Sequence, residues 1–485
     1  SDGKAKTPFW ASKITGIPSN TIYNLAKKIS TNRTMITGAW ALQRQQYGEQ
    51  PHWMITVLAC MLGQIGMPGG GFGLGYSAEN GIGNPVQHHK WPALDQFKNP
   101  VSDFIPVARI SDMLLEPGEL FSYNGKEIKY PDIKLVYWAG GNPFHHQMNL
   151  KKLVKAFKQP DSIIVNEIWW NSLARHSDII LPATSSLEKN DIGIRHWDQT
   201  ISPMHKIIDP IGESKSDYEI FSAISSKLNF KDKFTENRSE DQWLRYLWEE
   251  AKEGAKEAGF NLPEFDKFWK NGFQEVLSPK KQTILLEEFI KDPIKNPIPT
   301  PSGKIEIFSE TIESFNYNDC PGHPVWLEQE EWLGSSLTKQ YPLQLISGQP
   351  HNRLHSQLDN GSESQKDKIS GREAVKIHPQ DALARKLKNG DIVEIFNKRG
   401  KCLAGVIVSK EVMQGVIFLP VGAWYDPIDD GGYCVHGNPN VLTADIGTSS
   451  LSQGPSAHST LVEVKKFVKE LPPINIFQKP IIVNK

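Results

Sequence analysis

Short apolar runs that stop at glycine, asparagine or proline set the strongest limit on how this chain folds. The runs lie at Thr34–Thr37, Leu135–Trp138, Ile163–Val165 and Ile179–Pro182. Segments with helical spacing of apolar residues lie between or beside them, near positions 20–30, 52–66 and 149–157. Apolar runs bounded by turn residues are typical of buried strands, and their alternation with helices is typical of a parallel sheet. The first 230 or so residues therefore predict an α/β fold with doubly wound, mostly parallel sheets.

The pattern changes after Tyr341. Apolar or β-branched runs at Val393–Phe396, Leu403–Val408 and Val416–Pro420 are separated by Asn-Gly, Arg-Gly and Gln-Gly pairs, which mark tight turns. This spacing predicts a separate β-barrel. We expect residues 1–97 and 98–235 to form parts of two α/β domains, residues 236–338 a helical and irregular connector, and residues 339–485 the barrel.

Charge, hydropathy and cysteine spacing exclude several classes of protein. The 54 Lys and Arg residues nearly balance the 55 Asp and Glu residues, so no global charge favours nucleic acid as a partner. The longest apolar stretch, Ile55–Met67, is shorter than the ~20 residues that a membrane-spanning helix needs. The four cysteines lie too far apart for a zinc or iron–sulfur motif.

A dense glycine cluster occupies Met67–Tyr76, and a dinucleotide-binding loop is the first function that it suggests. We reject that function, because Tyr76 stands where the third glycine of G-x-G-x-x-G belongs and a helix rather than a strand precedes the cluster. A nicotinamide-dependent dehydrogenase is disfavoured for the same reason. Two interpretations stay open: a flexible crossing, or a stretch of backbone against which a large ligand lies flat.

Polar side chains follow the predicted strands at the point where each strand ends. Asn142 and His146 follow Leu135–Trp138, and Asn166 and Glu167 follow Ile163–Val165. Ligands bind at the carboxyl ends of strands in open α/β sheets, so these side chains are candidates for ligand contacts. A carboxylate such as Glu167 can accept two hydrogen bonds from a ribose diol or from guanine, although a solvated loop carboxylate is an equal alternative.

The two neighbouring histidines do not predict a metal site. Adjacent side chains such as those of His145 and His146 are expected to face apart, and no third ligand is spaced nearby.

Further polar strings lie in both halves of the chain. Arg44 follows another apolar run and is a natural bidentate partner for phosphate. In the predicted barrel, the string 347–357 directly follows a strand, and the strings 438–445 and 453–458 add amides and hydroxyls. Several strand-end loops that converge from two domains favour an extended cofactor that bears phosphate.

Six strings of the sequence resemble the molybdopterin oxidoreductases of the dimethyl sulfoxide, trimethylamine N-oxide and biotin sulfoxide reductase family. They stand in family order at residues 40–50, 61–73, 140–144, 174–184, 353–357 and 440–449. The segment 99–109 and the short connection after Asp191 favour the biotin or methionine sulfoxide branch. For the barrel, the resemblance implies a six-stranded, double-psi type.

The resemblance implies a molybdenum ion held by the dithiolene sulfurs of two molybdopterin guanine dinucleotides. It implies a reductase that removes an oxygen atom from S- or N-oxides while molybdenum cycles between Mo(IV) and Mo(VI). Carried over by position, the cofactor contacts fall on Trp40, Ala41, Arg44, Asn142, His146, Asn166, Glu167, Lys189, Asp217, Ser347, Gly348, Gln349, Pro350, Arg353, His355, Ser356, Gln357, Asn440, Ala457 and His458.

The roles implied by the resemblance follow from residue type. Arg44 and Arg353 are expected at pyrophosphate, on different ends of the cofactor, and Asp217 and Glu167 at guanine. Two positions depart from the family pattern: Lys189 stands where arginine is common, and Gln349 where some members have histidine.

The family's protein ligand to molybdenum is a serine in the N-terminal part, and no serine of this chain can be assigned that role. We therefore expect the ligand upstream of residue 1, no sulfoxide reduction by the 485-residue chain alone, and exposed apolar surface around Trp40, Trp169 and Trp170. A non-catalytic remnant that keeps the nucleotide contacts is the alternative. The electron donor is expected to be a c-type cytochrome in the periplasm, or a soluble reductant if the protein is cytoplasmic.

Overall fold

Mixed α/β structure followed by a closed β-barrel makes up the computed structural model of the chain. It describes residues 3–73, 75, 91–195, 199–276, 283–429 and 432–483. Two residues of the glycine cluster, Leu74 and Tyr76, and the stretch 77–90 lie outside the described residues. None of the described helices is both long and apolar enough to cross a membrane.

The first part of the chain builds a small parallel sheet against a long apolar helix. Its elements are α1 (Pro8–Thr15), α2 (Ser19–Thr31), β1 (Met35–Thr37), α3 (Glu49–Leu62) and β2 (Gly71–Gly73). β1 and β2 pair in parallel. α3 begins at Glu49, before the predicted start at 52, and it ends before the predicted end at 66, because Gly63 takes a left-handed conformation (φ 65°) that caps the helix.

The second part contains the sheet that positions most of the polar strand ends. Its elements are α4 (Ile110–Leu115), β3 (Leu120–Tyr123), β4 (Lys126–Lys129), β5 (Leu135–Ala139), α5 (Pro143–His146), α6 (Leu150–Ala156), β6 (Ser162–Glu167), β7 (Ile179–Pro182), β8 (Asp191–Gly193), β9 (Thr200–Met204) and α7 (Asp217–Lys227). β5, β6 and β7 form a parallel sheet in that order. Their carboxyl ends therefore meet at one edge, as the sequence predicted, although the described sheet has only three strands.

A helical region connects this part to the barrel. Its elements are α8 (Lys231–Thr235), α9 (Glu240–Glu257), α10 (Phe265–Asn271), β10 (Gln274–Glu275), α11 (Glu287–Lys291) and α12 (Glu310–Ser314). α9 begins with a capping box on Ser239, and it buries Trp243 and Trp248 on its apolar face. β10 adds to an antiparallel sheet with β9 and β8, so this region has a small core of its own.

The last part closes into the predicted six-stranded barrel. Its elements are β11 (Leu343–Ile346), α13 (Ser362–Lys366), β12 (Ala374–Ile377), α14 (Pro379–Ala384), β13 (Ile392–Phe396), β14 (Lys401–Val408), β15 (Val416–Phe418), β16 (Tyr433–Cys434) and β17 (Leu461–Lys466). The strands follow the order β12-β15-β11-β17-β13-β14, and a parallel pairing of β12 with β14 closes the ring. β16 extends the sheet at β14.

One apolar core runs through the α/β part and the barrel. Phe144, Leu150 and Leu153 belong to the same buried cluster as the barrel residues Val393 and Ile395. Phe144 stacks on the ring of Tyr425 with centroids 5.6 Å apart. The two parts are therefore packed directly against each other rather than joined by a linker alone.

Candidate functional site

A large cleft separates the carboxyl edge of the β5-β6-β7 sheet from loops of the barrel. Its volume is about 1640 Å³. Drug-sized ligands occupy pockets of about 300–1,000 Å³, so this cleft has room for a larger or composite ligand. Polar residues that line it from the α/β part include Arg44, Asn142, His145, His146, Asn166, Glu167, Thr184, Glu188 and Asp217, and those from the barrel include Ser347, Gln349, His355, Ser356, Gln357, Trp424 and Asn440.

The loop after β5 forms one wall of the cleft. Gly140 and Gly141 both take left-handed backbone conformations (φ 78° and 81°), which favour glycine. The following Asn142 caps α5, because its Oδ1 accepts a hydrogen bond from the backbone N–H of Phe144 at 3.1 Å. The Nδ2 of Asn142 donates to the Oγ of Ser356 at 3.4 Å, so this residue also joins the sheet edge to the barrel.

Two carboxylates of the cleft, Glu167 at the end of β6 and Asp217 at the start of α7, differ in the number of hydrogen bonds that they accept within the protein. The Asn166 amide donates to Oδ1 of Asp217 at 2.9 Å and accepts from the Tyr137 hydroxyl at 2.8 Å. In contrast, Glu167 accepts from the backbone N–H of Ile168 and Trp169 and from the Asn171 amide. Among the described residues no donor reaches the second oxygen of Asp217, so Asp217 has more capacity for a ligand.

Burial raises the pKa of the Glu167 carboxyl, although its three hydrogen bonds oppose that shift. Glu188 shows the opposite effect. Hydrogen bonds from the Ser185 side chain and backbone and from the Ile211 backbone lower the pKa of Glu188 to about 2. The ionised Glu188 carboxylate therefore ties the loop that follows β7 to the chain near Ile211, at 2.7 Å and 2.8 Å from the two N–H groups.

Histidines gather around Arg44, the one Lys or Arg side chain among the described lining residues. Burial, followed by repulsion from nearby groups that include Arg44, lowers the pKa of His145 to about 3 and that of His146 to about 4. The pKa of His355 is lowered by burial and by Arg44. These imidazoles are neutral near pH 7, so each of them offers one donor and one acceptor.

The contacts of His145 and His355 indicate which ring nitrogen donates and which accepts. Nδ1 of His355 lies 3.0 Å from the Gln349 Nε2 and 3.0 Å from the His145 Nε2. The Gln349 amide in this orientation donates, so Nδ1 of His355 is the acceptor and the His145 Nε2 carries a proton. The Nδ1 of His145 is then a buried acceptor, and it has no partner among the described residues.

Two asparagines of the barrel hold the α5 turn in place. Nδ2 of Asn438 donates to the carbonyl oxygens of Phe144 at 2.8 Å and of Ala423 at 2.9 Å. Nδ2 of Asn440 donates to the carbonyl oxygen of His145 at 2.5 Å. Backbone atoms of the sheet edge are thus held directly by barrel side chains, which fixes the two walls of the cleft relative to each other.

Comparison with known proteins assigns both walls of the cleft to known domains. Residues 11–227 match the model described as molybdopterin oxidoreductase, and residues 343–461 match the model described as molydopterin dinucleotide binding domain. The chain is 45% identical to the trimethylamine-N-oxide reductase of Haemophilus influenzae over 99% of its own length and 60% of that protein. The chain belongs to the molybdopterin oxidoreductases.

Other relatives of the chain are named for reductases of different oxides. The chain is 44% identical to the biotin sulfoxide reductase of Cereibacter sphaeroides, over 96% of this chain and 62% of that protein. It spans about 60% of the length of the curated relatives that it matches. The solved structure of acetylene hydratase from Pelobacter acetylenicus has the same fold at a TM-score of 0.56 and 16% identity, over 74% of this chain and 46% of that one.

The two domain matches indicate molybdenum with molybdopterin guanine dinucleotide as the cofactor. The cleft fits the nucleotide and pterin parts of such a group. Buried polar atoms normally have partners, yet Thr184 Oγ1, Ser347 Oγ and His145 Nδ1 are buried without one among the described residues. All three residues line the cleft, so a ligand rich in donors and acceptors would satisfy them. No group of three or more His, Cys, Asp or Glu side chains in the described part of the chain is placed to hold a metal ion.

Most of the residues that the resemblance assigns to cofactor contacts line the cleft of this molybdopterin oxidoreductase. They are Arg44, Asn142, His146, Asn166, Glu167, Asp217, Ser347, Gln349, His355, Ser356, Gln357, Asn440 and Ala457. The others lie outside the lining: Trp40, Ala41, Lys189, Gly348, Pro350, Arg353 and His458. The structure places these residues in the cleft, and their individual contacts with the cofactor stay predictions.

Arg353 lies in a different setting from the one expected. Its side chain is 1% exposed, and its guanidinium donates to the Glu373 carboxylate at 2.7 Å and to the Val421 carbonyl oxygen at 3.1 Å. Lys368 joins the same cluster, 2.9 Å from Asp359 and 3.0 Å from Glu373. The geometry therefore argues against a pyrophosphate role for Arg353 and leaves Arg44 as the one Lys or Arg side chain among the described residues that line the cleft.

Other expected residues have local explanations. Lys189 is 3.9 Å from Asp191, outside the lining. A side chain at Gly348 would come within 2.8 Å of the Phe418 ring, so packing alone favours glycine there. The expectation that His145 and His146 face apart is wrong, because both line the cleft, with ring centroids 6.1 Å apart.

Sequence reasoning missed the loop after β7. Thr184, Ser185 and Glu188 all line the cleft, and they follow the end of a predicted strand in the same way as Asn142 and Asn166 do. Their position after a predicted strand could have identified them as candidates for ligand contacts. The hydrogen bonds of Glu188 to Ile211, by contrast, depend on a contact distant in sequence and could not be predicted from the pattern.

Proposed function

We propose that the whole protein carrying this chain removes an oxygen atom from S- or N-oxides. The oxide gains two electrons and two protons, the S–O or N–O bond breaks, and the oxygen leaves as water. When bound, molybdenum would supply the two-electron change between Mo(IV) and Mo(VI). The observation that carries the proposal is the convergence of polar residues from both matched domains on one cleft of about 1640 Å³.

The residues of this chain supply binding and orientation. Arg44 is suited to a pyrophosphate, because it brings a fixed positive charge with a fork of N–H donors. Asp217 has an oxygen that can accept hydrogen bonds from N1–H and the exocyclic amine of guanine. The buried His145 and the more exposed His355 are both neutral and offer a donor and an acceptor to a ligand. At His145 an unmatched polar group costs about 1–3 kcal/mol, because that ring is buried.

Relatives named for trimethylamine N-oxide, dimethyl sulfoxide and biotin sulfoxide support the choice of substrate class. We propose biotin or methionine sulfoxide as the preferred oxides, because of the features that the sequence shares with that branch. A c-type cytochrome in the periplasm is the proposed electron donor. A soluble reductant would replace it if the protein works in the cytoplasm.

The test uses the whole protein with a reduced viologen dye as electron donor. Trimethylamine N-oxide, dimethyl sulfoxide, biotin sulfoxide and methionine sulfoxide are supplied in separate assays, and the dye's loss of colour is followed. Molybdenum and the GMP released by acid hydrolysis are measured on the same sample. Dye oxidation with at least one oxide is expected, with about two GMP for each molybdenum. A fully loaded protein that oxidises the dye with none of the four oxides would overturn the reductase proposal.

Guanine recognition is tested separately with Asp217→Asn. An amide presents a donor where guanine also donates, so retention of the guanine nucleotide should fall roughly 10- to 150-fold, which corresponds to the loss of ~1.5–3 kcal/mol for a charge-assisted hydrogen bond. Asp266→Asn is the matched control, because Asp266 is 81% exposed in a surface pair with Arg245. Equal GMP content in both variants would leave Asp217 only its place as an acidic residue in the first turn of α7.

A further inference from the structure

A segment without helix or strand crosses from the barrel to the α/β part after β17. We call residues 472–478 the C-terminal strap. Arg175, in the loop between β6 and β7, reaches across with its Nη2 group to three strap carbonyl oxygens. The distances are 3.1 Å to Asn475, 3.1 Å to Ile476 and 2.7 Å to Gln478. One long side chain of the α/β part thus holds the backbone of the C-terminal strap.

The barrel holds the same backbone from the other side. Oδ2 of Asp426 accepts hydrogen bonds from the N–H groups of Asn475 at 2.7 Å and of Ile476 at 3.2 Å. The Arg372 guanidinium donates to the carbonyl oxygen of Pro472. These contacts satisfy both donors and acceptors of an otherwise irregular segment, so its path is specified.

The side chains of the strap pack onto one tryptophan and its neighbour. Ile476 is 2% exposed. The Phe477 ring lies 5.5 Å from the Trp424 ring and 4.9 Å, edge to face, from the ring of His436. His436 in turn contacts the Trp424 carbonyl oxygen through Nδ1 at 2.9 Å. The C-terminal strap therefore covers the outer side of Trp424.

The inner side of Trp424 lines the cleft. Its indole N–H donates to the carbonyl oxygen of Ser356 at 2.8 Å, and its backbone N–H donates to Asp359 at 2.9 Å. Ser356 belongs to the turn 355–358, all four residues of which line the cleft, and it accepts the hydrogen bond from Asn142. Contacts thus run without a gap from the strap, through Trp424, to the turn that faces the ligand.

We propose that Phe477 and Arg175 are positioning residues, which act through Trp424 to hold the turn 355–358 and so slow the release of the cofactor. The claim that these residues slow the release of the cofactor rests on the proposed function. A segment held by side chains and not by a sheet ladder can detach without the unfolding of the barrel. When it detaches, Trp424 loses its outer cover and the turn loses the support on which its place in the cleft depends.

The experiment compares Phe477→Ala, Phe477→Leu and Arg175→Gln in the whole protein, with Arg245→Gln as the control. Arg245 pairs with Asp266 at the surface, 2.8 Å apart. Hydrogen exchange of the peptide 353–360 is measured beside that of β14, which lies in the same barrel. The release of bound nucleotide after dilution is followed as GMP lost from the protein.

We expect exchange of 353–360 to accelerate at least ~10-fold in Phe477→Ala and Arg175→Gln, while β14 and the control stay unchanged. Phe477→Leu, which keeps an apolar side chain, should restore most of the protection, and nucleotide release should follow the same order. Unchanged exchange of 353–360, or equal acceleration in β14, would overturn the proposal. A parent protein that holds no guanine nucleotide would defeat the proposed function alone, because the exchange measurement would still test the strap.

Discussion

The buried charge cluster behind the cleft makes a prediction whose size follows from its geometry. Lys368 and Arg353 face Asp359 and Glu373, and all four side chains are at most 5% exposed. His436 adds no charge near pH 7, because burial lowers its pKa to about 3. Two cations therefore balance two carboxylates, and Lys368→Met would leave one carboxylate without a partner.

The expected cost is that of an unpaired buried charge. Removal of one partner from a buried ion pair destabilises a protein by about 3–5 kcal/mol. The upper part of that range is expected, because Lys368 contacts both carboxylates, at 2.9 Å and 3.0 Å. Burial alone raises the pKa of the Asp359 carboxyl, and Lys368 is the strongest of the groups that hold it below its usual value. Lys368→Met should therefore raise that pKa, while Arg353 stays as the charged partner of the two carboxylates.

Native-state hydrogen exchange of β13 and β14 reports the free energy of unfolding of the barrel itself. Protection in Lys368→Met should fall by roughly three to three and a half powers of ten, at 1.4 kcal/mol for each tenfold change. Adding Glu373→Gln restores the charge balance and should recover part of the loss. Lys376→Met is the control, because the Lys376 side chain is 38% exposed. A loss below ~1 kcal/mol, as for surface pairs, or a double variant whose loss equals the sum of both single variants, would refute the reasoning.

Three further predictions concern the cleft. Arg44→Gln should lower retention of the guanine nucleotide roughly 10- to 150-fold by the loss of a charge-assisted contact; unchanged GMP content would contradict it. The folded-state pKa of His145, about 3, lies below its unfolded value of 6.5, so the unfolded chain binds that proton first. Stability of the cofactor-free protein should therefore be full above about pH 6.5 and fall as the pH drops toward 4, which urea midpoints measured against pH would show. Gly422→Ala should displace the His355 turn, since the new Cβ would lie 2.0 Å from the His355 carbonyl oxygen at φ 101°; Gly390→Ala, with open space at φ 84°, is the control, and equal melting temperatures would contradict the prediction.

The strand ends were predictable because local sequence decides them. An apolar run that stops at glycine or asparagine defines a strand and its end, and parallel strands bring such ends together. Asn142, Asn166 and Glu167 therefore line the cleft, where the strand ends predicted ligand contacts. The closed barrel followed from the same kind of evidence, through β-branched runs and glycine turns.

The surroundings of a charged side chain could not be predicted from the sequence in the same way. Arg44 and Arg353 have the same chemistry and both stand in polar strings, yet one lines the cleft and the other is neutralised by Glu373. The difference depends on residues that arrive from elsewhere in the fold. A residue's type limits its possible partners, and tertiary contacts select among them.

Exposed surface agrees with one further expectation from the sequence. Trp40 is 46% and Trp169 38% exposed, as expected, while Trp170 is half-buried. Met61, at the end of α3, is 77% exposed. Apolar side chains are therefore exposed where the sequence predicted them around Trp40 and Trp169.

The hydrogen bonds from the barrel to the α5 turn determine which positions of the cleft could be varied in a redesign. Asn438 and Asn440 bond to the carbonyl oxygens of Phe144 and His145, and a carbonyl oxygen is present whatever side chain its residue carries. Alignment of the two walls is thus separate from the chemistry that they display. A library that varies position 145 could sample new ligand preferences while the walls keep their spacing, whereas variation at the two asparagines would shift every contact across the cleft at once.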